Sequence, residues 1–136
     1  MGILSWLFKP KKKQTTIEEN ARRAKRKYPL TKEGLFGVEG KGRTSRKGKK
    51  TTHKRAIYCE DQYETAQDFY EIIGKGGKET SLKNGHGVRS DLSDKTVITY
   101  RVNTGTKNSP AVSINVEKPK SKIQNQKIHF EGRKKK

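Results

Sequence analysis

Apolar and polar residues alternate most clearly near the end of the chain, in TVITYRV (residues 96–102) and AVSINV (residues 111–116). Strict alternation is typical of a strand that buries one face, since successive side chains of a strand point to opposite sides. The segments TSLKN, VRSDL and NQKIHFE have the same character, which brings the number of predicted strands to about four to five. The short connections between them favour antiparallel pairing.

A helical pattern precedes these strands. Asp61, with Glu64 three residues later, predicts a helix start, and Gly74 predicts its end. The apolar residues between them recur at helical spacing, which favours packing on a sheet over a platform for stacking bases; they are Tyr63, Ala66, Phe69, Tyr70 and Ile73. The predicted fold class is therefore α+β, with a short helix packed on a twisted antiparallel sheet of about four to five strands.

Charge divides the chain into two parts. Residues 1–55 hold 18 Lys and Arg against 4 Asp and Glu, whereas the rest of the chain holds 15 against 10. The first part has an apolar leader and one short helical pattern, which begins at the capping box of Thr16 and Glu19. We therefore predict a largely flexible, basic N-terminal arm over residues 1–55, an α+β domain over residues 56–131 and a basic tail over residues 132–136.

Composition narrows the classes of partner. The chain has 136 residues and a formal net charge of +19, and only 28% of its residues are hydrophobic, so one modest core is the most that it can bury. A basic excess of this size favours polyanions: nucleic acid, an anionic membrane surface or an acidic protein. The single cysteine, Cys59, has no partner for an internal disulfide and is expected in the core.

The N-terminal segment MGILSWLFKPKKK joins an apolar octamer to a lysine cluster. It is shorter than the roughly 20 apolar residues of a membrane span and lacks the order of a signal peptide, so we expect a cytoplasmic location in the producing or target cell, or secretion by a non-classical route. One interpretation is a weak membrane contact through residues 1–13, with Trp6 and Phe8 among the headgroups. The other is a leader that packs on the domain or stays disordered.

Alternation also predicts which polar side chains share the sheet face that points away from the helix. Apolar residues of the last three strands fill the inner face, and no carboxylate is expected on the outer one before Glu131 at its edge. The outer face should carry Thr99, Arg101, Ser113, Asn115, Lys127 and His129. Cations, hydroxyls and a histidine on one face suit the binding of a phosphodiester and acid–base chemistry on it.

Metal-free RNA cleavage needs a base for the ribose 2′ proton, cations for the phosphoryl charge and an acid for the leaving 5′ oxygen. His129 suits either proton transfer, Arg101 can hold phosphate with two hydrogen bonds, and Lys127 adds a point charge. His86, near Arg89, either reaches over the sheet or is an exposed turn residue. The histidines are scattered, so no metal site is expected. The GKGG segment is interpreted as the end of a helix, so no cofactor is expected there either.

A family resemblance extends these expectations. From Tyr63 to Phe130, a helix ending in Gly, then GHGVRSDLSDKTVITYR, SPAVSINV and KIHF, resembles the C-terminal toxin domains of bacterial polymorphic toxins. Those domains are similar to the barnase, EndoU, colicin and RelE grouping of metal-independent ribonucleases, whose sheet carries the active site. The resemblance implies RNA cleavage, an acidic immunity protein as partner, and roles for Arg89, Thr99, Tyr100, Arg101, Ser109, Lys127 and His129.

We therefore expect an endoribonuclease toxin that cleaves cellular RNA, with the basic arm raising RNA affinity through phosphate contacts. Two alternatives stay open: a nucleic-acid-binding protein without catalysis, and a membrane-surface protein anchored by residues 1–13. The residues assigned to catalysis are Arg89, Thr99, Arg101, Lys127 and His129. Those assigned to substrate binding are His86, Tyr100, Ser109, Ser113 and Asn115.

Overall fold

The structure is a computed structural model that describes residues 16–40, 45–47, 50–82, 86–102, 109–116 and 122–132. The predicted membrane contact of residues 1–13 and the basic residues of the tail lie outside these ranges. Within them the chain forms two helices and eight strands. In chain order these are α1 (Ile17–Ala24), β1 (Val38–Glu39), β2 (Ser45–Lys47), β3 (Lys50–Cys59), α2 (Gln62–Ile73), β4 (Lys78–Ser81), β5 (Gly87–Asp91), β6 (Val97–Arg101), β7 (Ala111–Asn115) and β8 (Gln126–Gly132).

The sheet is mixed, with the order β1, β3, β8, β7, β6, β5, β4, and β2 pairs with β3 beside this path. The pair of β3 and β8 is parallel, and the other strand pairs are antiparallel. The α+β class is confirmed, whereas the count of four to five strands and the purely antiparallel sheet are wrong. The difference arises at β3, whose pairing with the distant β8 leaves no signal in local sequence patterns.

Helix α2 begins and ends where its sequence predicts. The Asp61 side chain accepts a hydrogen bond from the Glu64 amide at 3.0 Å, and the Gly74 amide donates to the Tyr70 carbonyl at 2.8 Å. Ala66, Phe69, Tyr70 and Ile73 are buried, as expected of a helix that covers a sheet. Tyr63 differs, because 41% of its surface is exposed.

The core lies between α2 and the inner face of the sheet. Phe69 meets Phe36 edge to face, with ring centroids 5.0 Å apart, and contacts Phe130 at 5.6 Å. Tyr70 stacks on Tyr100 with centroids 5.8 Å apart. The aliphatic part of the core comes from the last three strands and includes Ile98, Val112, Ile114 and Ile128. The alternation predicted for these strands is therefore the alternation observed.

Helix α1 belongs to the folded domain, so the prediction of a largely flexible arm up to residue 55 is wrong for the described residues. Its apolar stripe of Ile17, Ala21 and Ala24 is buried. Asn20 is also buried and donates to the carbonyls of Ile73 at 2.8 Å and Lys75 at 3.0 Å, which lie at the end of α2. Neither described helix is long and apolar enough to cross a membrane.

The segment between α1 and β1 is held by buried polar side chains. Gln126 accepts from the Phe36 amide at 2.7 Å and donates to the Gly34 carbonyl at 2.9 Å. Arg55 donates to the carbonyls of Phe36 at 2.9 Å and Gly37 at 2.8 Å. Irregular backbone can be buried only if its polar groups are paired, and these two side chains pair them. The folded unit therefore includes residues 16–40 and does not start at residue 56.

Candidate functional site

The sheet face opposite the helices, here called the open face, carries a straight row of polar side chains. Register pairs Arg89 with Thr99, Thr99 with Ser113, Ser113 with Lys127, and Lys127 with Lys54. Neighbouring strands lie about 4.8 Å apart, so this cationic row extends about 19 Å across β5, β6, β7, β8 and β3. A cation stands at each end of the row, and a third, Lys127, lies beside Lys54.

A second row on the open face lies next to the first. Arg101 pairs with Ala111, Ala111 with His129, and His129 with Ala56. The two alanines are buried, whereas Arg101 is exposed and His129 is half-buried. Small residues on both sides of His129 leave room above the strands for its imidazole and for the longer side chain of Arg101.

Lys127 is a cation of the open face whose charged form is disfavoured by its surroundings. Burial lowers the pKa of its ammonium group below the ordinary lysine value, and the charges of Lys54 and Arg101 lower it further. Both effects disfavour the charged form, the first by removing water and the second by repulsion between like charges. Three cations therefore lie within electrostatic reach of one another. A bound anion would relieve this repulsion.

Arg89 has a partner on its own strand. Its Nε atom donates to Asp91 Oδ1 at 2.8 Å, and its Nη2 atom donates to Asp91 Oδ2 at 3.2 Å. This ion pair raises the pKa of Arg89 and lowers the pKa of Asp91. The expectation that the open face has no carboxylate before Glu131 is thus wrong, since Asp91 occupies it. Asp91 therefore competes with any bound phosphate for the Arg89 guanidinium.

His129 lies close to the start of β7. Its Nδ1 atom is 3.5 Å from the Ser109 hydroxyl, a long contact for a hydrogen bond. Ser109 is buried and precedes the buried residues Pro110 and Ala111. A packed segment therefore limits the orientations of the imidazole ring, which is what proton transfer to a bound substrate requires.

The remaining predicted site residues are divided between two faces. Asn115 is exposed on the open face opposite Val97. Tyr100 lies on the inner face against Tyr70, so the sheet separates it from Thr99 and Arg101. His86 is exposed just before β5, where its carbonyl accepts from the Val102 amide at 2.9 Å.

Lys54 is the open-face cation that sequence reasoning missed. It falls inside the predicted arm, and its place in the sheet depends on the parallel pairing of β3 with β8. Apolar–polar alternation gives no signal there, because the AIYC segment is apolar throughout and the preceding Lys54 and Arg55 are both charged. Only a strand extended backwards from AIYC puts Lys54 and Ala56 on one face and Arg55 on the other.

A groove on the helix side of the sheet has the opposite charge. Its volume is about 460 Å³, and it contains the carboxylates of Glu71 and Glu79 beside Tyr70 and Tyr100. The Tyr70 hydroxyl donates to Glu79 at 2.8 Å, and burial followed by this carboxylate raises the pKa of Tyr70. Phosphate is repelled from such a lining, so the open face is the better surface for a polyanion.

Comparison with known proteins adds no relative: no protein-family model, curated protein sequence or solved structure matches this chain. The resemblance to ribonuclease toxin domains therefore stays a prediction. The functional argument rests on the chemistry of the open face, in particular on Lys54, Arg101, Lys127 and His129 and on the hydroxyls between them.

Proposed function

We propose that this chain is a ribonuclease toxin domain that binds RNA on the open face and cleaves it there by metal-independent acid–base chemistry. One observation carries the proposal: Lys54 and Arg101 lie near enough to lower the pKa of the partly buried Lys127, on the face that also holds His129. Crowded cations cost stability, and a perturbed charge of this kind is characteristic of functional sites. A polyanion supplies the compensating negative charge.

The proposed reaction uses the ribose 2′ hydroxyl as nucleophile. Its oxygen attacks the adjacent phosphorus, the bond from phosphorus to the 5′ oxygen breaks, and the products are a 2′,3′-cyclic phosphate and a 5′ hydroxyl. A base accepts the 2′ proton and an acid gives a proton to the 5′ oxygen, so the protons balance. His129 is one of these proton-transfer groups, while Arg101 and Lys127 stabilise the phosphoryl charge. The Thr99 and Ser113 hydroxyls donate to phosphate oxygens.

The second candidate is a nucleic-acid-binding module without catalysis. Two observations favour it: Arg89 is engaged by Asp91, and Tyr100 lies on the opposite side of the sheet. Arg89 and Tyr100, which are both expected at the cleavage site, then do not contact the phosphate, while Lys54, Arg101 and Lys127 still bind it. In this alternative RNA is held on the same face and stays intact.

An acidic protein is the partner that the toxin resemblance implies. The open face is the surface on which such a protein would act, because Lys54, Arg101 and Lys127 would pair with its carboxylates and RNA would be displaced. Its binding and RNA binding are then mutually exclusive. The chain needs no cofactor in the proposed reaction.

The test is RNA cleavage by purified protein in EDTA, with the 5′ and 3′ ends of the products identified. Arg101→Ala should slow cleavage about 10²-fold or more, the size of effect seen when one charge-stabilising group is removed. The matched control is Lys75→Ala, an exposed lysine beyond the end of α2, which should cleave at the wild-type rate. RNA that stays intact with wild-type protein in excess would overturn the cleavage proposal, and its retardation without cleavage would support the second candidate.

A further inference from the structure

A second basic surface lies on the helix side of the sheet, in a cleft of about 300 Å³ between α1, the turn before β1 and the residues before β8. We call it the α1 cleft. Its floor is apolar and contains Ala21, Leu30 and Ile123. Its rim carries four exposed cations, Arg22, Lys25, Lys32 and Lys122. The cleft is therefore a concave surface of positive charge, separate from the open face.

Hydrogen bonds hold the walls of the α1 cleft together. The Glu18 carboxylate accepts from the Lys122 amide at 3.2 Å, which joins α1 to the segment before β8. The Gln124 side chain donates to the Glu33 carbonyl at 2.7 Å, which joins the turn to the same segment. Gly34 has a φ of +86°, and a Cβ atom there would lie 1.8 Å from the Lys122 carbonyl oxygen. The close approach of these two walls thus requires glycine.

The charge of the cleft selects an anion. Glu18 is the carboxylate of its lining, and that group already accepts a backbone hydrogen bond, whereas four cations surround the opening. The walls are joined before any ligand arrives, so binding does not have to order them. A phosphate group meets arginine and lysine donors from two sides of such a cleft. The groove that contains Glu71 and Glu79 has the opposite charge and repels a phosphate group.

The α1 cleft is also close to the proposed RNA site. Lys127 on the open face is five residues along the chain from Lys122 at the cleft, a span of at most about 18 Å. The connecting residues pass the end of the sheet where β8 begins, beside the contact of 3.1 Å between His53 and Gln124. A single RNA strand bound to Lys127 can therefore continue around this end of the sheet to the cleft.

We propose that the α1 cleft is a second phosphate-binding subsite, which holds RNA nucleotides beyond those bound on the open face. The proposal rests on the proposed function insofar as RNA is the ligand, and it does not require cleavage. The cleft contributes affinity only to RNA long enough to reach both surfaces. Short RNA occupies the open face alone.

The experiment measures binding of two 2′-O-methyl RNAs, of about 4 and about 16 nucleotides, which lack the nucleophile for cleavage. The cleft variant is Arg22→Gln with Lys25→Gln. The matched control is Arg26→Gln with Lys75→Gln, which removes one arginine and one lysine that are exposed and outside the cleft. We expect the cleft variant to bind the long RNA about tenfold more weakly, with a salt slope smaller by about 1.4, and to bind the short RNA like the control.

Three results would overturn the subsite proposal. The first is an equal loss of RNA affinity in the cleft variant and the control, and the second is an equal loss of affinity for short and long RNA. The third is polyglutamate that binds as tightly as the long RNA, with binding that depends equally on Arg22 and Lys25. A selective loss of long-RNA binding supports it even if wild-type protein leaves unmodified RNA intact, and in that case the cleavage proposal fails alone. If wild-type protein cleaves RNA but the cleft variant shows no selective loss of long-RNA binding, the subsite proposal fails while the proposed function stands.

Discussion

Lys54 and Lys127 lie side by side in the parallel pair of β3 and β8, and the charge of Lys54 helps to lower the pKa of Lys127. Two like charges on adjacent strands destabilise a sheet, and burial of Lys127 adds to the cost. The presence of Lys54 and Lys127 is therefore not explained by the stability of the sheet. The proposed RNA interface gives them a use.

Replacing Lys127 with Met should therefore separate stability from function. The variant removes repulsion and keeps the length of the side chain, so we expect unfolding free energy to rise by about 0.5–1 kcal/mol, as other optimised surface charges do. RNA affinity should fall because a phosphate contact is lost. Urea unfolding and RNA titration check the two effects, and a less stable variant would contradict the electrostatic account of the open face.

The pH dependence of RNA binding should follow Lys127. Its lowered pKa means that it loses its charge at a lower pH than an ordinary lysine, so RNA affinity should fall as the pH rises from neutral towards 10.5. Lys127→Arg stays charged throughout this range and should keep its affinity. Over the same range folding stability should rise for wild type, because the unfolded chain holds the proton more tightly than the folded one. Equal pH profiles for RNA binding by the two proteins would argue against a role for Lys127.

Asn20 should be the polar residue of α1 that matters most for folding. Asn20→Ala removes both hydrogen bonds to the end of α2, so the buried carbonyl of Ile73 and the partly buried carbonyl of Lys75 lose this donor. We expect a loss of about 2–3 kcal/mol in unfolding free energy, against less than about 0.5 kcal/mol for the exposed Arg26→Ala. Urea unfolding of the two variants measures this difference, and equal unfolding free energies would show that Asn20 does not hold α1 on the domain.

Stability at acid pH should depend on Asp68. This carboxylate accepts from the Tyr28 hydroxyl and from Lys27 at 3.0 Å, and the Tyr28 bond, then Lys27, holds its pKa below the ordinary value. A carboxyl whose pKa is lowered by folding adds stability above its unfolded pKa and loses it as the pH falls through the folded one. At neutral pH the unfolding free energy of wild type should be about 1 kcal/mol higher than that of Asp68→Asn. The difference should shrink below about pH 4, and a constant difference from neutral to acid pH would show that the charge of Asp68 is not its source.

Local patterns were enough to predict the half of the domain where contacts are local. The strands from β4 to β8 are neighbours both along the chain and in the sheet, and alternation alone assigned Ile98, Ile114 and Ile128 to the core. The same alternation put Thr99, Ser113 and Lys127 on one face, which the register reproduces. The capping residues of α2 were equally visible, because a cap depends on side chains three residues apart.

The packing of residues 16–40 could not be predicted in this way, although the capping box of Thr16 and Glu19 correctly marked the start of α1. This packing depends on buried Asn20, Arg55 and Gln126, residue types that composition counts as solvent-facing. These side chains bind carbonyls and amides far away in sequence, so no periodicity announces them. Lys54 was lost from the predicted site for the same reason, since its neighbour Lys127 is reached only through the parallel pairing of distant strands. Alternation placed Tyr100 on the inner face, where the structure also has it, so the binding role that the resemblance implied for Tyr100 lies across the sheet from Arg101 and stays a prediction.

The most direct test of the central claim is single-turnover cleavage of RNA in EDTA, at protein concentrations that saturate binding, for wild type and His129→Gln. We expect wild type to produce 2′,3′-cyclic phosphate ends. The variant should bind RNA within about threefold of wild type but cleave it at least about 10²-fold more slowly, as expected when a proton-transfer group is lost. Equal cleavage rates for the two proteins, or intact RNA with wild type, would contradict the central claim.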